Sequence, residues 1–94
     1  MNILRASTIL DDIAAILSDF HGREYHDPIV RETRFFADLG LASIDAVVLA
    51  EMLESHYGQK LPFGEFMADL GRRTDRDIRI GELVDFLNIH LHVD

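Results

Sequence analysis

Apolar residues in this chain recur at spacings of three and four, and over no useful length do they alternate singly with polar ones. That restricts the fold, because a period near 3.6 buries one face of a helix and a period of two buries one face of a strand. The expectation is all-α. Ile9, Leu10, Ile13, Ile16, Leu17 and Phe20, separated by Asp11, Asp12, Ser18 and Asp19, predict a first helix. Ser7 or Thr8 would cap it, Asp11 and Asp12 suit its positive end, and Gly22 follows its close. Ala46, Val47, Leu49, Ala50, Leu53 and Tyr57 give residues 43–57 the strongest helical pattern, stopped by Gly58. Pro62 breaks the chain before a short helix over 63–70. Residues 71–79 read as a polar loop, and Ile80, Leu83, Val84, Phe86, Leu87 and Leu91 predict a last helix.

Residues 21–42 form a long connection punctuated by Pro28 and Gly40. A loop of that length is usually functional or pinned by its own side chains, here Ile29, Val30, Phe35, Phe36 and Leu39. The result is a four-helix bundle, three helices longer and one short, with the long loop between the first two. Leu10, Ile13, Leu17, Phe36, Val47, Leu49, Leu53, Phe66, Leu83, Val84 and Leu87 are expected to supply much of its core.

The 94 residues suffice for one domain spanning 1–94. With no cysteine there is no disulfide, thiolate nucleophile or Cys-based zinc site, and a cytoplasmic location fits. Arg5, Asp11 and Asp12 interrupt the N-terminal apolar residues, so a signal peptide is not expected. No stretch is long enough to insert into a membrane. The net charge of -8 argues against nucleic acid and favours basic protein partners. It is uneven: residues 36–69 hold six carboxylates against Lys60 alone, whereas Arg72, Arg73, Arg76 and Arg79 cluster in the loop before the last helix.

Catalysis finds little support. Serine needs a base within hydrogen-bond reach, and neither a Gly-x-Ser-x-Gly elbow nor a local signature surrounds His21, His26, His56, His90 or His92. His90 and His92 would point about 200° apart on a helix and share no ion. Glu51 and Glu54 share a face, but two exposed carboxylates make a poor metal site. No metal and no catalytic residue is expected.

Ser43 remains, at the junction of the loop and the strongest helix. From spacing alone it is an N-cap, worth about 1 kcal/mol. The same position also places a hydroxyl beside open N–H groups that would stabilise an anionic phosphodiester.

The stretch Asp38-Leu39-Gly40-Leu41-Ala42-Ser43-Ile44-Asp45-Ala46-Val47 resembles the attachment motif of acyl carrier proteins, usually Asp-x-Gly-x-Asp-Ser-Leu followed by a helix. The order of helices is similar over nearly the whole chain, and Ile80-Gly81-Glu82-Leu83-Val84 is similar to the family's closing segment. The resemblance implies that a phosphopantetheinyl transferase attaches phosphopantetheine from coenzyme A covalently to Ser43. The chain would then be a monomeric carrier and not an enzyme, holding an acyl or aminoacyl group as a thioester. Its pathway would make a fatty acid, polyketide or other specialised product. Acyl-loading and acyl-processing enzymes with basic patches would dock on Ile44, Asp45, Val48, Glu51, Glu54 and Ser55.

Two positions depart from the pattern. Ala42 stands where an acid normally precedes the serine, which leaves open an unmodified interaction module with the same fold. Val48 replaces a common acid on the partner face, so that Ile44 and Val48 either form an exposed apolar stripe or pack under the loop. Arg79 stands where a Thr or Ser cap is usual, and Asp77 is a substitute cap for the last helix.

Overall fold

The computed structural model describes residues 6–20 and 28–91. Four helices follow in order: α1 (Ala6–Ser18), α2 (Ser43–Tyr57), α3 (Phe63–Arg72) and α4 (Ile80–His90). Among the described residues there is no strand; Arg34 and Arg79 form one isolated antiparallel bridge. Gly22, His21, His26 and His92 lie outside the described residues.

Ser7 and Thr8 lie within α1 rather than ahead of it, and its first turn holds no acid. The capping expected of Ser7 or Thr8, and the dipole role expected of Asp11 and Asp12, are therefore not what the structure shows. Near the other end, the Ser18 hydroxyl hydrogen-bonds the carbonyls of Ala14 and Ala15 at 3.0 and 2.9 Å. Gly58 closes α2 in the left-handed region at φ 66°, its N–H bonded to the Glu54 carbonyl, a conformation that costs a residue with a Cβ more. Helix α3 runs two residues beyond expectation and takes in Gly71 and Arg72.

Helix α1 packs against both α2 and α4. Ile9, Ile13 and Leu17 from α1, Leu49 and Leu53 from α2, and Leu83, Val84 and Leu87 from α4 meet in a common core. Phe63 and Phe66 of α3 each stack at 5.0 Å on Phe86 of α4. Each fully buried side chain of this size contributes roughly 1.5–3 kcal/mol, against about 0–1 kcal/mol for an exposed ion pair. The core thus outweighs the surface pairs Arg31–Asp85 and Arg72–Asp69.

The long loop is pinned as expected by Phe35 and Leu39, both buried, with Ile29 and Phe36 packed alongside; Val30 is exposed. Backbone bonds add to this. The Phe35 N–H donates to the Ile78 carbonyl at 2.8 Å, Ile80 N–H to Thr33 at 2.9 Å, and Gly81 N–H to Arg31 at 2.8 Å. The segment between α3 and α4 thereby fixes the loop that leads into α2.

Candidate functional site

Ser43 is the first residue of α2, and Ala42 is the N-cap, with extended φ -106° and ψ 170°. The cap expected of Ser43 is therefore one residue earlier, on a side chain with no acceptor. Half of a capping box remains: the Asp45 carboxylate accepts the Ala42 N–H at 2.8 Å. Asp45 N–H and Ala46 N–H both turn back to the Ala42 carbonyl, at 3.0 and 3.4 Å. The Ser43 side chain is exposed, and no described residue hydrogen-bonds its hydroxyl. An oxygen so placed is accessible, unoccupied and at the positive end of a fifteen-residue helix.

The loop is held up to this point by Asp77, whose role differs from the cap expected of it. Its carboxylate accepts three backbone N–H groups, from Phe36 (2.9 Å), Ala37 (3.1 Å) and Ile78 (2.8 Å). Helix α4 is instead capped at Arg79, whose N–H donates to Glu82 at 2.9 Å. Arginine has no acceptor to complete that box. Glu82 also pairs with Arg73. Burial pushes the Glu82 carboxyl up, but the Arg73 guanidinium and the Arg79 N–H outweigh it and hold the group below its ordinary value.

On α2 the exposed face is apolar near Ser43: Ile44 is 66% exposed, Val47 50%, and Val48 and Met52 36% each. Ile44 and Val48 form the exposed stripe and do not pack under the loop. Glu51 and Ser55 continue the same face and are exposed. Asp45 and Glu54 are half-buried and already engaged, Glu54 accepting the Leu61 N–H at 2.8 Å. Val47, expected in the core, is not.

Val47 instead lines a cavity of about 240 Å³ between α2 and α3. Its walls are almost wholly apolar: Phe35, Ala46, Val47, Leu49, Ala50 and Leu53 on one side, Phe63, Gly64, Phe66 and Met67 on the other, with Ile78 and Leu83. The space opens to solvent past half-exposed Val47 and exposed Gly64, and its apolar walls offer water few hydrogen-bond partners. The signal in the sequence was the run of small residues Ala46, Ala50 and Gly64, which is visible as a cavity only once α2 and α3 face each other. Met67 also lines an open depression beside Ser43, with Phe36, Leu70, Gly71, Arg76 and Asp77.

Of the histidines, His56 lies 3.7 Å from Asp12, which also accepts the Tyr57 hydroxyl at 2.8 Å. Burial, with this bond to Asp12, pushes the Tyr57 phenol up. The exposed ring of His90 stacks on Phe86 at 4.7 Å. Among the described residues no three metal-ligating side chains come together, and no helix is long and apolar enough to cross a membrane.

Ser43 is thus an exposed serine at the head of a helix, fed by a pinned loop, with an apolar groove one turn away. The family model for phosphopantetheine attachment sites matches residues 11–72, 62 of the 94. The chain belongs to that family, the carrier domains of the acyl carrier type, whose members carry phosphopantetheine covalently and meet the enzymes that modify and use them. Such domains are generally not catalytic. A search of curated proteins finds no match.

Proposed function

We propose that residues 1–94 form one carrier domain, that phosphopantetheine is attached at Ser43 Oγ, and that the cargo is an aliphatic acyl group. In loading, the Ser43 oxygen would attack the pyrophosphate of coenzyme A. A new P–O bond forms, adenosine 3′,5′-bisphosphate leaves, and the hydroxyl proton passes to a base on the transferase. Once attached, the arm supplies a thiol that holds the cargo as a thioester.

The observation that carries the aliphatic reading is the cavity. A 150 Å³ apolar cavity holds benzene, so about 240 Å³ would take a chain of roughly eight to ten carbons. Ala46 and Val47, one turn from Ser43, line it, and nothing in its walls would satisfy the polar groups of an aminoacyl cargo. The domain carries rather than catalyses. His56, thirteen residues along the same helix, is about 20 Å from Ser43, far beyond hydrogen-bond reach.

Docking is proposed on the face of Ile44, Val48, Glu51 and Ser55, with Asp45 and Glu54 at its edges. Apolar area supplies affinity there, and the carboxylates steer basic patches of partner enzymes.

Incubation with coenzyme A and a promiscuous phosphopantetheinyl transferase tests the attachment. Intact mass should rise by one arm in the wild type and stay unchanged in Ser43→Ala. An equal gain in both proteins would overturn the assignment. Loading in turn with acyl groups of four, eight, twelve and sixteen carbons tests the cargo. Thermal stabilisation should peak near eight to ten, and a length-independent response would remove the cavity from the reading.

A further inference from the structure

Arg76 lies in the segment between α3 and α4 and shares the open depression beside Ser43. Buried Leu70 and half-buried Phe36 and Met67 make an apolar floor, with exposed Ser43 and Arg76 at the rim. The arginines around it are committed. Arg72 pairs with Asp69 at 2.8 Å, Arg79 with Asp75 at 3.0 Å, and Arg73 with Glu82. Arg31 and Arg34 pair with Asp85 and Asp38 at 2.9 and 3.2 Å. Among the described residues Arg76 is the one arginine without a carboxylate partner. Its Nε makes only a long bond, 3.4 Å, to the Arg73 carbonyl.

A cation with no carboxylate partner among the described residues, on a chain of net charge -8 and sharing a depression with a serine at a helix N-terminus, suits an anion on that serine. Two carboxylates stand near. Asp45 is turned onto the Ala42 N–H, and Asp77 is occupied by three backbone N–H groups. Both would still repel a phosphodiester, and a guanidinium that can meet two phosphate oxygens at once offsets them.

We propose that Arg76 ion-pairs with the phosphodiester formed on Ser43 and lays the first part of the arm along the Phe36–Met67–Leu70 floor. This rests on Ser43 being the attachment point. The dimethyl group next to the phosphate covers that floor. Because Met67 also lines the cavity between α2 and α3, the arm is directed toward the space proposed for the cargo. Arg76 is a positioning residue, and it takes no part in thioester chemistry.

The test uses the full chain, loaded with phosphopantetheine and checked by intact mass, as wild type, Arg76→Gln, Arg76→Lys and Arg72→Gln. Loading should move the Arg76 Nε–Hε NMR signal and leave that of Arg72 in place. The movement should shrink in 0.5 M NaCl, roughly the concentration at which exposed ion pairs are screened. Cross-relaxation between the arm's methyl groups and the Phe36 and Met67 side chains should fall roughly two- to fivefold in Arg76→Gln, the factor an exposed ion pair supplies. It should recover in part in Arg76→Lys, which keeps the charge but not the two-point contact, and be unchanged in Arg72→Gln. A loaded protein whose Arg76 signal does not move, or whose contacts are equal in all four chains, overturns this inference and leaves the attachment intact. A chain that gains no mass overturns both.

Discussion

Ala42 marks where this chain differs chemically from the common attachment motif. The acid usual in the motif falls on the N-cap of α2, the position whose side chain can accept an N–H of the first turn. Here the Asp45 carboxylate, accepting the Ala42 N–H, secures that end. Ala42→Ser should therefore stabilise the domain by about 1 kcal/mol, which in a chain of this size raises the thermal midpoint by roughly 4–8 °C. A midpoint unchanged or lowered by the substitution would show that the helix end is already satisfied. Asp77→Ala should do the opposite, removing the acceptor of three N–H groups and costing about 2 kcal/mol. Hydrogen exchange should rise first at Phe36 and Ala37. The junction role of Ser43 was legible from the motif and the helix after it. The role of Asp77 was not, because the loop residues it holds, Phe36 and Ala37, are about forty positions earlier.

Among the helices, α2 departs most from its expected packing. Spacing placed Val47 with Leu49 and Leu53 in the core; those two are buried, while Val47 faces a space that α3 leaves unfilled. The stripe of Ile44 and Val48 was visible as i, i+4 spacing, but whether it met solvent depended on where the loop lay. Ala50 lines the cavity, and Ala50→Leu should fill part of it. The unloaded protein should keep or gain stability, since void is replaced by contact. The dependence of stability on acyl chain length should flatten, as melting of the acylated variants would reveal. A variant that still prefers eight to ten carbons would mean the cargo lies elsewhere. Helix α3 is longer than its sequence predicts because Gly71 reads as a stop, whereas Leu70 is buried and the helix continues through Arg72.

Across the molecule, the loops and the start of α4 are held by groups whose charge state matters. Asp38 is held below its ordinary value of 3.8 by the Arg34 backbone N–H and guanidinium. Asp75 is lowered by the Asp77 N–H and the Arg79 side chain, and Glu82 lies below 4.5 despite its burial. Each is more acidic folded than unfolded, so its contribution is complete above the unfolded value and is lost as pH falls through the folded one. Unfolding midpoints measured at about 0.15 M salt should hold steady with respect to these groups down to about pH 5 and then decline below about 4.5. Glu82→Gln should shallow that decline, and an equally steep fall in the variant would remove Glu82 from the account. Helix number and order, the serine junction and much of the core followed from local patterns, because periodicity, glycine stops and a short motif are written within a few residues of one another. The cavity, the grip of Asp77 on the loop, the shift of the cap to Ala42 and an Arg76 with no carboxylate partner among the described residues came from the fold. Each depends on which distant segments meet, and no local spacing encodes that distance.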